Sequence, residues 1–303
     1  MPNSAGRPWK ILLPLAAFLF LCAAWPGYWF IAIGIAKDRA AAERTKLAEN
    51  GLTLGCTTET WGGFPFHFEF TCSSPILTLQ NKAEARSGNL LLVALAYAPW
   101  QIVGLLDGPT SVMGEGLVPT TVQHQRIIAA VTFDRDWKPQ LSAEITMMQV
   151  PGLGKADNLM VHARPSAEGG VDIAASATGV VYQREGRPDL TVAQGDVLGT
   201  LKDDQVLKIE KFELKQNDVR YWGTGNINLD QDQRIAGKLS TETNDLNGLL
   251  GVIEPYLDLT DNQKTSIRTV LGLLGNEAKA DIIARDGQLF VGPFRVAELR
   301  SLY

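Results

Sequence analysis

Apolar and polar residues alternate along most of the chain beyond residue 51. A strand sends successive side chains to opposite faces, so a period of two predicts strands with one apolar face. In the first half the candidate strands are 52–60, 64–72, 75–82, 88–98, 110–115, 121–134, 140–149, 156–164 and 170–179. The segment PWQIVGLLDGP at 99–109 interrupts this pattern, and it predicts a bend or a single helical turn.

The second half repeats the alternation in four runs between residues 189 and 243, separated by Asp, Asn, Gln or Gly. Consecutive strands joined by such short turns form an antiparallel meander, in which Asp230 to Gln233 is a hairpin turn. Two segments with apolar residues at helical spacing follow at 245–257 and 261–274. The chain closes with two more candidate strands around the turn Asp286–Gly287.

These patterns predict a mainly β protein. The strands are expected to form a long, curved, mostly antiparallel sheet with a few short helices. Local alternation does not fix the strand order, so an open groove and a partly closed sheet both remain possible.

The amino-terminal segment has a different pattern. Residues 11–36 contain no charged side chain, and as a helix they are long enough to cross a hydrocarbon layer of about 30 Å. Residues 37–51 are rich in Ala, Glu, Lys and Arg and end in glycine, which predicts a short exposed helix that continues the first. We expect a cytoplasmic amino terminus at 1–10, a transmembrane anchor at 11–36, a juxtamembrane helix at 37–51 and a periplasmic β-rich domain at 52–303.

A cleaved signal peptide is the alternative to a permanent anchor. Cys22, Ala23 and Ala24 provide small residues at a plausible cleavage position. The apolar run continues to Ile35, however, and this favours an uncleaved anchor. Cys22 also suggests a lipidation site, but the large Leu21 before it fits a lipidation signal poorly, so we expect Cys22 to be buried in the membrane.

The stretch CTTETWGGFPFHFEFTC at 56–72 predicts one β-hairpin bracketed by two cysteines. Cys56 and Cys72 are expected to form a structural disulfide that contributes about 3 kcal/mol by restricting the unfolded chain. Such bonds persist in oxidising compartments. With Arg7 and Lys10 placed before the apolar segment, the disulfide favours a single-pass inner-membrane protein whose body lies in the periplasm.

Aromatic residues give this hairpin its candidate site. Phenylalanines occupy four alternate positions that would share one face of a strand: Phe64, Phe66, Phe68 and Phe70. In one interpretation they form the inner face of an ordinary sheet packed on a helix or a second sheet. In the other, they and Trp61 line an incompletely covered apolar groove that accepts acyl chains. Pro65 lacks an amide proton, which predicts an edge strand or a position before pairing begins.

Composition excludes other classes of protein. The 303 residues are 45% hydrophobic, which is enough to bury a substantial core, so the chain is not disordered. The formal net charge is −5, and no cluster of Lys or Arg is interleaved with aromatic residues. A nucleic-acid partner is therefore not expected.

The histidines and glycines do not form a recognisable catalytic, metal or cofactor site. His67, His124 and His162 are isolated from one another in the sequence, and His67 is expected at the surface or rim of the sheet. The glycines at 223, 225 and 237 lack the spacing of a dinucleotide or phosphate loop, and no G-x-S-x-G elbow is present. We expect no catalytic residues, no metal and no cofactor.

One acidic segment has part of the spacing of a calcium loop. Asn228, Asp230 and Asp232 match its first ligand positions. Gln233 stands where that loop needs glycine, however, and Leu239 where it needs glutamate. A hairpin turn explains these residues better than a calcium site.

Several segments resemble an uncharacterised family of inner-membrane-anchored periplasmic proteins of alphaproteobacteria with a G-F-P-F-x-F motif. The resemblance rests on the anchor, the Ala/Glu/Lys helix ending in glycine, GFPFHF at 63–68 and the carboxy-terminal ARDGQLFVGPFRV. The segments GTGNINLDQDQRIAGKLS and LNGLLGVI are more distantly similar to AsmA-like envelope proteins, whose β-rich bodies form open, apolar-lined grooves. This resemblance implies a location and an architecture and, by a further step, a lipid-related function.

The expected function follows from the anchor, the disulfide and the apolar strands together. We expect a non-catalytic protein of the inner membrane that binds or handles phospholipid or another acyl-chain lipid in the cell envelope. The alternative is an envelope scaffold that binds another protein through a free sheet edge.

Overall fold

The computed structural model describes residues 9–80, 82–256, 265, 269, 278–292 and 294–299. In this part of the chain one long helix, α1 (Trp9–Glu49), precedes strands arranged in two antiparallel sheets. α1 is long and apolar enough to cross a membrane by its length and composition. Gly51 follows it in the left-handed region, at a φ of 80°, where glycine is favoured, and this agrees with the predicted helix end.

The strands follow the helix in chain order. The first ten are β1 (Leu52–Gly55), β2 (Thr58–Gly62), β3 (His67–Ser73), β4 (Ile76–Leu79), β5 (Ala83–Arg86), β6 (Asn89–Leu95), β7 (Ala98–Asp107), β8 (Thr110–Gly114), β9 (Leu117–Val122) and β10 (Arg126–Phe133). The next seven are β11 (Pro139–Val150), β12 (Gly154–Pro165), β13 (Val171–Tyr182), β14 (Leu190–Leu201), β15 (Leu207–Gln216), β16 (Val219–Leu229) and β17 (Ile235–Thr243). Helix α2 (Leu246–Ile253) and a 3-10 turn (Glu254–Tyr256) precede β18 (Ala278–Arg285), β19 (Gln288–Val291) and β20 (Phe294–Glu298).

A large open sheet of 15 strands dominates the fold. Its strand order is β2-β3-β6-β7, followed by β10 to β20 in chain order, with β2 and β20 at the edges. A small sheet has the order β1-β4-β5-β8-β9. The mainly β fold, the long antiparallel sheet and the meander of the second half are therefore confirmed, and the large sheet is not closed.

The hairpin turns of the large sheet alternate between its two ends, because every neighbouring pair of strands is antiparallel. We call one end the anchor end, because α1 is bonded to it. Trp25 Nε1 donates a hydrogen bond to the carbonyl of Pro65, and Trp29 Nε1 to that of His67, at 2.8 and 3.0 Å. Tyr28 Oη donates to the carbonyl of Ala96 at 2.8 Å. The small sheet and α2 belong to connections at the opposite end, which we call the distal end.

The register gives the large sheet one continuous apolar face. One row of paired residues on this face crosses twelve strands from β3 to β18: Phe70, Leu92, Gly104, Ala129, Ala143, Val161, Ala175, Val197, Phe212, Gly223, Thr241 and Ala280. The neighbouring row on the opposite face becomes mostly polar from β11 onward: Glu144, Met160, Ser176, Asp196, Glu213, Trp222, Glu242 and Lys279. Strand alternation therefore sorts the side chains as the sequence pattern predicts.

Three elements cover parts of this apolar face. α1 packs on it at the anchor end, where Trp29 and Ile33 form a buried cluster with Phe68 and Ala96. The small sheet lies over β6 to β11 toward the distal end. α2 is capped by Asp245, whose carboxylate accepts from the amide of Gly248 at 3.0 Å, and it contacts β16. The core is therefore distributed along the sheet.

Several local predictions differ from the structure. Residues 98–107 form strand β7, where a bend or helical turn was expected, because the segment is paired on both sides, with β6 and β10. Gly104 suits that position, since a Cβ there would lie 3.0 Å from Leu92 Cδ2. The first predicted strand, 52–60, is divided between the two sheets as β1 and β2. The predicted helix 245–257 is present as α2 and the 3-10 turn, and the one at 261–274 falls almost entirely outside the described residues.

Two turn-level predictions are confirmed. Cys56 and Cys72 form a disulfide with a Cα–Cα distance of 5.3 Å. It links the connection between β1 and β2 to β3, and so joins the two sheets. Asp230 stands in the β16–β17 turn, where its Oδ1 accepts from the amides of Asp232 and Arg234 at 2.9 Å. These bonds to Arg234 and Asp232, together with the Arg234 side chain, lower the pKa of the Asp230 carboxyl.

Candidate functional site

A groove of about 580 Å³ lies between α1 and the large sheet at the anchor end. Its helical wall includes Tyr28, Ile35 and Arg39, and its floor is the apolar face of β3, β6 and β7. Trp137, from the β10–β11 turn, also lines it. Arg39 and Glu43 are the charged residues among those that line it. The groove is therefore an apolar channel with its charges toward the carboxy-terminal part of α1.

Three of the five predicted groove residues line this channel. Phe68 and Phe70 are 8% and 5% exposed, so their rings are covered by the protein itself. The Phe68 ring is stacked on Trp29, with centroids 5.8 Å apart, and the Trp61 ring lies 4.9 Å from that of Phe70. These rings are therefore core residues that also form the floor of a groove.

The other two, Phe64 and Phe66, lie outside the channel and before β3. The amide of His67 donates to the carbonyl of Gly63 at 3.0 Å, which closes a turn over 63–67. Pro65 has no amide proton to join a ladder, so pairing begins at His67 and the strand predicted at 64–72 is shorter at its start. Phe64 packs edge-on against Trp29, whereas Phe66 is 64% exposed. The alternation of four phenylalanines therefore runs across a turn and a strand.

An ion pair joins the helix to the edge of the sheet beside the groove. Arg44 Nη1 donates to both carboxylate oxygens of Glu59 on β2, at 2.8 and 3.0 Å. The guanidinium carbon also lies 5.2 Å from the centroid of the Phe70 ring, within the range of a cation–π contact. These contacts hold the carboxy-terminal part of α1 against the first hairpin.

A second cavity, of about 490 Å³, lies between the two sheets toward the distal end. The large sheet contributes the apolar residues Leu90, Leu106, Ile127, Ile145 and Met148, and the small sheet contributes Leu54, Leu77 and Val122. No charged side chain lines this cavity. It is an apolar space between two sheets, and it lies on the same face of the large sheet as the groove.

His124 is the titratable residue at this cavity. The Ser87 hydroxyl donates to the carbonyl of Asp107 at 2.9 Å, so it must accept from the Thr110 hydroxyl, 2.8 Å away. The Thr110 oxygen in turn accepts from His124 Nε2 at 2.8 Å. This order places the proton on Nε2 and leaves a buried Nδ1 lone pair without a hydrogen-bond partner. Burial lowers the pKa of His124, which favours the neutral imidazole.

The apolar face continues beyond its covers, across β11 to β15. Side chains of this face are more than one-third exposed on five consecutive strands: Leu141, Val161, Val171, Val197, Leu201 and Leu214. Val161 and Val197 continue the row that includes Phe70 in the covered region, and Leu141 continues the neighbouring row of the same face, which includes Phe68. An apolar surface thus extends from the groove beside α1 along the sheet.

The described residues do not bring potential metal ligands together. Their His, Cys, Asp and Glu side chains form no group of three or more that could hold a metal ion. His67 Nε2 lies 3.3 Å from Glu69 Oε2 on the face opposite the phenylalanines, partly exposed as expected for a rim residue. His162 lies on β12 with its Nδ1 2.8 Å from the Ser142 hydroxyl.

Sequence reasoning missed most residues that complete the groove. Tyr28 and Ile35 were assigned to a membrane span, and Ile102 to a bend, because each has a local pattern that fits those roles. Trp137 lies in the turn DRDWK, which contains no apolar period. These residues meet only through the packing of α1 and the pairing of β7 and β10.

The family of uncharacterised proteins conserved in bacteria, DUF2125, matches residues 29–300 of this chain. The chain belongs to the DUF2125 family. The match begins at Trp29, the α1 residue stacked on Phe68, so it includes one of the three α1 residues that are hydrogen-bonded to the anchor end, while Trp25 and Tyr28 precede it. Comparison with curated proteins and with solved structures finds no significant match.

Proposed function

We propose that this DUF2125 protein is a single-pass protein of the bacterial inner membrane whose periplasmic body binds acyl chains of phospholipid on the apolar face of its large sheet. Its role is the handling of lipid in the cell envelope, without catalysis and without a cofactor. The AsmA-like segments in the sequence support the same function, since that class has open grooves lined by apolar residues.

Two observations support the location. α1 is long and apolar enough for a membrane anchor, and its residues from 12 to 21 expose Leu and Phe side chains to the surroundings. The Cys56–Cys72 disulfide is consistent with an oxidising compartment such as the periplasm. Both observations fit one membrane topology, in which the amino terminus lies in the cytoplasm and the sheet lies in the periplasm.

The exposed continuation of the apolar face across β11 to β15 carries the proposal. Contiguous apolar surface beyond a few hundred Å² is unusual on a protein body surrounded by water and marks a binding surface. An acyl chain suits a long, smooth strip of Val, Leu and Ala, because it needs no hydrogen bonds from the protein. The groove beside α1 continues this strip to the anchor end.

Adjacent residues on β14 provide a matched test. Val197 lies on the apolar face and Leu198 on the opposite face, and they are 37% and 46% exposed. Val197→Asp would place a carboxylate in the path of an acyl chain, where it costs free energy, whereas Leu198→Asp adds the same charge one residue away. We expect Val197→Asp to weaken lipid binding by at least about tenfold, or ~1.4 kcal/mol, and Leu198→Asp to leave it unchanged.

The measurement is native mass spectrometry of the full chain in detergent. It counts lipids that copurify and lipids taken up from liposomes. Retention of the disulfide and of the β-sheet circular dichroism shows that each variant is folded. Wild-type protein that carries no lipid and takes none from liposomes would reject the function.

The unpaired edges of the large sheet favour the alternative, an envelope scaffold. β2 hydrogen-bonds to β3 alone among the described strands, and an extended segment of another protein could add to it. β2 is short, however, and Glu59 on it is paired with Arg44, which are features that discourage edge pairing. The same photo-crosslinking probe at Thr60 and at Val197 distinguishes the two functions in cells. One dominant protein adduct at Thr60, with no lipid adduct at Val197, would favour the scaffold.

A further inference from the structure

Exposed aromatic rings are concentrated at the anchor end of the large sheet. Outside α1, the described chain has six aromatic residues that are exposed, and five of them lie at this end: Phe64, Phe66, Tyr97, Trp100 and Trp137. The sixth, Tyr182, ends β13 at the distal end. The five belong to the first three turns at the anchor end or to the strand beside them. The next turns at that end, 166–170, 202–206 and 230–234, carry mostly polar residues.

Neighbouring members of this set lie close together. Trp100 and Trp137, with Phe133, border a cleft of about 510 Å³. The Phe133 and Trp137 ring centroids are 5.9 Å apart. The rings therefore form an aromatic rim along one end of the sheet, on the strands nearest α1.

The length of α1 places this rim relative to a membrane. The uncharged segment before the first contact with the sheet, residues 11–24, has 14 residues and spans about 21 Å at ~1.5 Å per residue. A hydrocarbon layer of about 30 Å needs roughly 20 residues. The span must therefore include about six further residues, up to Phe30. Those residues are the ones bonded to the anchor-end turns through Trp25, Tyr28 and Trp29.

We propose that the aromatic rim seats in the headgroup layer of the membrane that α1 crosses, on the side where the sheet lies. Trp and Tyr rings favour that layer, because it accepts an apolar body and a polar tip together. Asp134 and Arg135 stand beside Trp137 in the same turn, which fits the headgroup layer and not the hydrocarbon core. The large sheet is thus attached to the membrane both by α1 and by the turns that carry the aromatic rim.

This arrangement also places the mouth of the groove at the bilayer. Tyr28 and Trp137, which both line the groove, would both lie at the headgroup level. An acyl chain then enters sideways from the membrane without passing through water. The inference rests on the membrane anchor of the proposed function but not on lipid binding by the open face.

Depth measurements with nitroxide labels test the seating. In a Cys22→Ser background, single cysteines for labelling are introduced as Phe66→Cys, Trp137→Cys, Asp204→Cys and Val118→Cys in the full chain, with the native disulfide retained. The proteins are placed in vesicles of phosphatidylethanolamine and phosphatidylglycerol. Collision of each label with oxygen, which enters membranes, is compared with collision with a water-soluble nickel chelate.

We expect the labels at 66 and 137 to report the headgroup layer. The labels at 204, in a later turn of the same end, and at 118, in β9 of the small sheet, should be in water. A label at 137 that meets the nickel chelate as often as the one at 118 would overturn the seating. Repeating the measurement with Val197→Asp present separates the two proposals, since loss of lipid binding should leave the depth unchanged.

A second measurement needs no label. Lipids brominated near the headgroup quench tryptophan fluorescence, and Trp137→Phe should remove part of that quenching in the anchored protein. Unchanged quenching would contradict the proposal. Release of the wild-type protein from vesicles by alkaline carbonate would overturn both the anchor and the seating.

Discussion

The two parts of the large sheet have the same alternation but different burial. In β3, Phe68 and Phe70 lie under α1 and Cys72 is fully buried. In β14, Val197 and Leu201 point from the same face and are 37% and 40% exposed. Alternation therefore determines which side chains share a face, while the elements packed above that face determine whether it becomes a core.

The connections between strands explain the difference. β4 and β5 lie in the connection from β3 to β6, and β8 and β9 lie in the connection from β7 to β10, so the first part carries its own cover. From β11 to β17 the connections are short, between two and seven residues, and contain no element that could fold back. A meander of this kind leaves one face without a partner unless a separate helix or a ligand covers it.

Truncation of a covered ring should have the largest effect. Phe68→Ala removes a ring stacked on Trp29 and should lower the free energy of unfolding by about 3–5 kcal/mol. Leu201→Ala, on the same face of the uncovered part, should cost only about 1 kcal/mol, because its side chain is already exposed to solvent. Urea unfolding followed by circular dichroism compares the two variants. Equal losses would show that both parts of the sheet are packed alike.

Sequence and structure agree where the signal is local. The disulfide, the Asp230 turn, the meander and α2 follow from residue spacing and turn chemistry. The division of strands between two sheets could not be predicted, because β1 and β2 have the same alternation and differ only in their distant partners. Strand β7 was missed for the same reason, since Gly104 is weak in a strand until Leu92 fills the space beside it.

The groove shows a second limit of local patterns. Trp25, Tyr28 and Trp29 have the composition of a membrane-interface belt, and a sequence pattern cannot distinguish rings that face lipid from rings that face protein. Their indole and hydroxyl groups are bonded to carbonyls of the first two hairpin turns. Predicting this would require the position of α1 on the sheet, which depends on long-range packing.

Removal of the disulfide should have the next largest effect and tests the junction of the two sheets. Cys56→Ser or Cys72→Ser should lower the free energy of unfolding by about 3 kcal/mol, because the crosslink restricts the unfolded chain over a separation of 16 residues. Cys22→Ser, at an exposed free cysteine, is the control and should have no such effect. If either disulfide variant unfolds at the same urea concentration as wild type, the crosslink contributes nothing to the stability of the covered part of the sheet.

Acidification should weaken the covered part through His124. Its pKa is lowered in the fold by burial, whereas in the unfolded chain it is near ~6.5. The contribution of neutral His124 to the free energy of unfolding is therefore complete above about pH 7. It declines as the pH falls below ~6.5 toward the lower pKa of the folded state, because unfolding then takes up a proton. His124→Gln should reduce this pH dependence, measured as urea midpoints between pH 7.5 and pH 5.

The exposed His162 provides the control for that measurement. His162→Gln makes the same replacement at a histidine that is exposed on β12 and lies outside the cavity. An equal change in the two variants would show that the pH dependence does not come from the burial of His124 between the sheets.

A polar substitution on the uncovered face should have the smallest effect. Val197→Thr replaces a methyl group by a hydroxyl at a side chain that meets solvent, so the free energy of unfolding of the delipidated protein should change by less than about 0.5 kcal/mol. The same change at a covered position leaves a hydroxyl without a partner and costs about 1–3 kcal/mol. A loss of ~2 kcal/mol in Val197→Thr would mean that Val197 is covered in solution. The contrast between the two parts of the sheet would then disappear, and with it the surface on which lipid binding is proposed.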